Sequence, residues 1–131
     1  LTEEEYIVMK SHTLIGASML ARLDHYRDEE LARTAYQICR WHHERYDGGG
    51  YPDGLKGEEI PIAAQVVSIA DAYDALISPR VYKEGFSHEQ AMQMIRNGEC
   101  GAFNPIILEC FNECADKLKK ITGDEKKEEK R

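Results

Sequence analysis

Long apolar runs are missing from this sequence: none approaches the ~20 residues a membrane-spanning helix requires, so no membrane segment is expected. Basic residues are in the minority, 17 Lys and Arg against 24 Asp and Glu for a net charge of −7. The positive footprint of a protein that grips nucleic-acid backbone is therefore absent, and general DNA or RNA binding is not expected. Cys39, Cys100, Cys110 and Cys114 contain no CxxC pair, and nothing marks the chain as exported. They read as reduced, mostly buried thiols of a cytoplasmic protein. The chain opens on Leu1 with no basic-then-apolar leader, which suggests a fragment of something longer.

What is present is a chain of 131 residues, 42% hydrophobic and 31% charged, enough for one globular domain with a modest core. Thr2 and Glu5 form a capping box for a first helix, with Leu1 able to staple onto Tyr6. Met9, His12, Gly16, Met19 and Leu23 recur at helical spacing and predict a buried stripe that ends near 22–25. Asp28 can cap a second helix carrying Leu31, Ala35, Ile38 and His42 on one stripe and Ala32, Tyr36, Cys39 and His43 on the next, stopping soon after Glu44. Residues 47–57 hold five of the ten glycines together with Pro52 and read as a loop.

Pro61 opens a third helix, apolar nearly all round from Ile62 to Ala70 and so expected to be enclosed by others. A strand over Gln65 to Ile69 is the competing assignment, disfavoured by the length of the run through Leu76. Ser87 and Gln90 form a second capping box, for a helix that Asn97-Gly98 can close. Asn104-Pro105 starts a last helix with Ile107, Cys110 or Phe111, Cys114 and Leu118 on its apolar stripe. The reading is all-α: a compact bundle of about five helices over residues 1–123, followed by a charged, frayed tail at 124–131.

Three histidines, His12, His42 and His43, fall on helix faces otherwise lined by apolar or small residues, and neutral imidazole is the commonest metal ligand. Neighbours on a helix diverge by ~100°, so His42 and His43 reach one ion only from its rim, or two ions across a gap. Asp71 sits in an apolar helix, where a carboxylate is costly to bury unless paired or bound to a cation. A metal site and a set of core histidines satisfied by carbonyls both remain open on these residues alone. His25 and His88 are expected at the surface. The glycine-rich run after His43 could bring backbone N–H groups to an anion, Tyr51 offers a flat face to a base, and Arg80 and Lys83 could reach a phosphate from one loop.

Five blocks carry a resemblance to a known family: Lys10-x-His12-x-x-x-Gly16; His42-His43-Glu44-x-x-Asp47-Gly48-x-Gly50-Tyr51-Pro52-x-Gly54; Ala70-Asp71-x-Tyr73-Asp74-Ala75-Leu76; Arg80-x-Tyr82-Lys83; and Gly101-x-Phe103-Asn104-Pro105. The chain resembles the HD-GYP branch of the HD superfamily of metal-dependent phosphohydrolases. That resemblance implies an HD-domain-like helical fold that hydrolyses the bacterial messenger cyclic di-GMP with two or three iron or manganese ions. His12, His42, His43 and Asp71 match ligand positions. Tyr51, Arg80 and Lys83 match positions that hold the nucleotide, and Glu44, Asp47, Gly50 and Pro52 match motif residues near the metal or bracing the loop.

The sequence departs from the family pattern at Val81, usually proline, and Asn104, usually aspartate. It also contains no His-Asp dipeptide, the pair that names the family and lies upstream of the His12 block. The resemblance thus describes a domain truncated at its N-terminus, holding at most one metal weakly and turning over little by itself. Exposed apolar surface, and with it a homodimer, is expected, and an upstream receiver or sensor domain is implied. The alternative is a degenerate cyclic di-GMP sensor or protein-interaction module.

Overall fold

The computed structural model describes residues 2–22, 29–79 and 84–121. Among the described residues there are five α-helices, α1 (Glu3–Ala21), α2 (Glu30–Trp41), α3 (Ile62–Ile77), α4 (His88–Arg96) and α5 (Pro105–Glu113), and a 3₁₀ turn at Gly57–Glu59 between α2 and α3. Helical turns resume at 115–121, and among the described residues there is no strand. The all-α expectation holds. The charged tail, Leu1, Leu23, His25, Asp28, Arg80 and Lys83 lie outside the described residues, as does the side chain of Met9.

Local chemistry sets the helix ends. Thr2 accepts from the Glu5 N–H at 3.1 Å while the Glu5 carboxylate accepts from the Thr2 N–H at 2.8 Å, the reciprocal arrangement that satisfies two otherwise orphaned donors. Ser87 and Gln90 repeat it on α4, at 3.2 and 3.1 Å. Asn104 caps α5 through the Ile106 N–H, with Pro105 at the first helical position. Gly98 follows α4 at φ +79°, a conformation that costs a residue with a side chain more than it costs glycine.

The chain packs as two compact units, Leu1–Ser68 and Ile69–Arg131. In the first, α1 lies against α2 on a face different from the expected one. Thr13 and Ala17 are buried, whereas His12 and Met19 are exposed. The physical reason is that α1 is apolar on every side, with Ile7, Val8 and Ile15 all exposed, so hydrophobic periodicity selects no face. Small residues do: a methyl added to Gly16 would sit 3.5 Å from the Cys39 Cβ, so the helices approach closely where Gly16 and Ala17 lie.

The second unit is built on Ile69, Tyr73, Ala91, Met92 and Ile95, with Phe103, Ile107, Leu108, Phe111 and Leu118 packed around them. The Tyr73 ring meets Phe111 edge-on at 5.7 Å, and its hydroxyl lies 2.8 Å from His88 Nδ1. His88 is thus half-buried rather than a surface residue, because its place at the start of α4 brings it to a core phenol.

Two further expectations are corrected. α3 is not enclosed on all sides: Ile62 is 60% and Val66 49% exposed, because its buried face is set by Ala64, Gln65 and Ser68, small or hydrogen-bonding residues that a hydrophobic count passes over. The cysteines are not mostly buried either. Cys110 and Cys114 are exposed and Cys39 and Cys100 are half-buried, because Ile107, Leu108 and Phe111 supply the core-facing side of α5. Ile95 is 1% exposed, so Ile95→Ala should cost about 3 kcal/mol through lost burial and the cavity left behind; urea unfolding should show a lower midpoint at an unchanged slope.

Candidate metal centre and its loop

α2 ends sooner than its pattern suggests. Trp41 is its last residue, and His42 is the C-cap at φ −70°, ψ −13°. The Glu44 N–H then bonds the Trp41 carbonyl at 3.1 Å, which turns the chain out of the helix at the two histidines. The expectation that the helix runs past Glu44 fails because the demands of the loop override helical periodicity there.

Glu44 shows what those demands are. Its side chain is 2% exposed, and its Oε1 accepts from the N–H groups of Asp53 and Gly54 at 2.6 and 3.0 Å while Oε2 accepts from Leu55 at 2.7 Å. A carboxylate taken out of water needs such donors. Gly50 packs against the same turn: a Cβ there would overlap the His43 carbonyl and the Arg45 nitrogen and lie 2.6 Å from the Glu44 Cα. No other residue fits without moving the backbone. Asp47 closes the loop locally, accepting from the Gly49 N–H at 2.9 Å, and Pro52 follows Tyr51 across a cis peptide bond.

Spacing and composition do not reveal two further ties. Arg40 on α2 meets Asp53 with two parallel bonds of 2.8 and 3.0 Å, and the Trp41 indole N–H adds a third to Asp53 at 2.6 Å. Asp53 therefore sits below the usual aspartate range, chiefly because the Arg40 guanidinium bonds it, while Arg40 is raised by the same contact. Arg45 donates to Ser68 Oγ at 2.8 Å, tying the turn to α3.

On this frame His12, His42 and His43 come together. One ligand nitrogen from each lies within 4.8 Å of the others, and ring centroids are 5.6 Å (His12–His42), 5.0 Å (His12–His43) and 4.2 Å (His42–His43) apart. His42 Nδ1 lies 2.7 Å from the Ile38 carbonyl. A carbonyl can only accept, so Nδ1 carries the proton, and in the neutral ring Nε2 holds the lone pair. His12, His42 and His43 are thus the residues that would hold a divalent cation, each offering one ring nitrogen.

Tyr51 is half-buried, its ring stacked on His43 at 4.9 Å and 13° and met edge-on by Tyr6 at 5.6 Å. Asp71 is on α3 in the second unit and is exposed. It carries no cost of burial and so gives no sign of a bound cation by that route, because α3 has a solvent-facing side.

Replacing Glu44 by Gln puts an amide NH₂ where an oxygen accepted, and should cost roughly 2–3 kcal/mol in urea unfolding. Asp53→Asn should remove less than about 1 kcal/mol at neutral pH, the pair being partly exposed. Because the folded pKa of Asp53 is depressed, its contribution is complete above the unfolded value near 3.9 and fades as pH falls through the lower folded value. The variant and the parent should therefore converge in stability in acid.

Comparison with known proteins places this geometry in a family. The HD domain family model matches residues 1–104. A cyclic di-GMP phosphodiesterase of Vibrio cholerae is 43% identical over 94% of this chain and 25% of its own length. A cyclic di-GMP phosphodiesterase response regulator of Xanthomonas campestris is 38% identical over 94% and 32%, and a 3'3'-cGAMP-specific phosphodiesterase of Vibrio cholerae is 33% identical over 90% and 22%. The chain thus spans between about a fifth and a third of the length of these curated relatives. With a family model matched across both histidine blocks, the chain belongs to the HD domain family.

Proposed function

We propose that this chain is part of a metal-dependent phosphodiesterase that hydrolyses cyclic di-GMP in the bacterial cytoplasm. The observation that carries the reading is the convergence of His12, His42 and His43, with ligand nitrogens within 4.8 Å beside a loop held rigidly by Glu44. Relatives named for cyclic dinucleotide hydrolysis support the substrate class.

His12, His42 and His43 would hold one divalent cation, iron or manganese. All three are neutral ligands, so the ion keeps its full charge against a protein that carries −7 and would otherwise repel an anionic dinucleotide. Asp71, with ligands this sequence does not contain, would serve a further ion. A cation at such a site supplies hydroxide near neutral pH and neutralises charge on the phosphate. The residues of the chain bind and orient: the Ile38 carbonyl fixes the His42 tautomer, Tyr51 holds the plane of His43, and Arg80 and Lys83 would take the phosphates. Alone, the chain would hold at most one ion weakly and turn over little. Its exposed apolar residues would also let the chain by itself form a homodimer, and in the parent an upstream receiver or sensor domain would provide control.

The test is hydrolysis of cyclic di-GMP, with 3'3'-cGAMP in parallel, by the full-length parent loaded with manganese or iron. Turnover should require metal, and His42→Ala should lower kcat/KM by at least about a hundredfold with loss of bound metal. A metal-loaded parent that cleaves neither nucleotide, or a His42→Ala variant that keeps its activity, overturns the reading.

A further inference from the structure

The first of the five sequence blocks contains a residue the proposed chemistry leaves without a task. Lys10 is half-buried on α1, and its Nζ rests 5.1 Å from the centre of the Tyr6 ring, one helical turn earlier on the same face. Among the described residues no carboxylate forms an ion pair with it, although the first turn of α1 carries Glu3, Glu4 and Glu5. An ammonium that rests on an aromatic face rather than in an ion pair keeps N–H donors to offer an anion.

The contacts of Tyr6 connect that charge to the histidines. Tyr6 meets Tyr51 edge-on at 5.6 Å, Tyr51 lies flat on His43 at 4.9 Å, and His43 meets His12 at 5.0 Å. Lys10 and His12 leave α1 on different flanks, two residues apart, so they do not share one ligand atom; the row of rings spans between them. Ammonium, Tyr6, Tyr51 and the imidazoles of His43 and His12 therefore follow one another in an unbroken row of contacts.

We propose that Lys10, shelved on Tyr6, is a second anion-binding point for the substrate, taking a phosphate of a nucleotide whose other phosphate lies at the histidines. The ligand class rests on the phosphodiesterase reading above; the placement of the cation does not. In the manganese-loaded parent, Lys10→Gln should raise KM for cyclic di-GMP about fivefold to tenfold, with kcat within about twofold and metal content unchanged. Lys10→Arg should restore KM, because the role is electrostatic rather than one of packing.

Calorimetric titration of the same proteins with the linear dinucleotide pGpG, which like the substrate carries two phosphates, supplies a readout that does not require cleavage of cyclic di-GMP. Wild-type affinity should exceed that of Lys10→Gln by a similar factor, and the gap should narrow as salt is raised. Failure of the parent to cleave cyclic di-GMP would defeat the phosphodiesterase reading, while the pGpG titration would still decide Lys10. Equal pGpG affinity in the two folded, metal-loaded proteins, absence of pGpG binding by wild type, or a Lys10→Arg variant as weak as Lys10→Gln would each overturn the proposal.

Discussion

A buried carboxylate holds the candidate site together. Glu44 lies in the turn that follows the two adjacent histidines, and both its oxygens are engaged by amides from Asp53, Gly54 and Leu55. Removing a carboxylate from water costs several kcal/mol when it is left alone; three short bonds from backbone donors offset that cost in only one loop conformation. The glycine-rich segment is therefore stiff where its composition suggests freedom. Tyr51 is carried by the same loop, and its own N–H bonds the His43 carbonyl at 3.2 Å, so the aromatic face on His43 depends on the Glu44 clamp.

The second tie on the loop acts from outside. Asp53 joins the carboxylate clamp through its backbone and the α2 surface through its side chain, which meets Arg40 and Trp41. One residue thus couples the buried and the exposed sides of the loop. The two ties differ in kind: the inner one is dry and strong, while the outer one is partly exposed and screened by salt. Loss of the outer tie should leave the histidines in place, whereas loss of the inner one releases the turn that carries them.

Much of this is legible in the sequence where the physics is local. The capping boxes of Thr2 and Ser87, the Asn104-Pro105 start and the Asn97-Gly98 stop depend on neighbouring atoms and can be read from spacing. The three histidines are legible as candidates because their motif spacing accompanies the glycine loop. What cannot be read depends on partners distant in sequence. The face α1 buries is chosen by Gly16 and Ala17 against Cys39, since apolar residues surround that helix. The exposure of Asp71, Cys110 and Cys114 follows from which neighbours claim the core. The bonds from Arg40 and Trp41 to Asp53 cross a dozen residues, and no pattern of period or composition marks them.

The early end of α2 explains how the rings of two neighbouring residues come together. On a continuous helix, adjacent side chains leave ~100° apart and their rings diverge. Here Trp41 is the last helical residue, and the chain turns at His42 and leads directly into the loop that Glu44 clamps; the two imidazole centroids are 4.2 Å apart. His42 keeps its helical bond to the Ile38 carbonyl through its backbone N–H, and its ring reaches the same oxygen, while the turn frees His43 to lie under Tyr51. One histidine is thus oriented by the helix it leaves and the other by the loop it enters, and their convergence follows from ending the helix at Trp41. The termination that contradicts helical periodicity is what makes a shared ligand set sterically accessible.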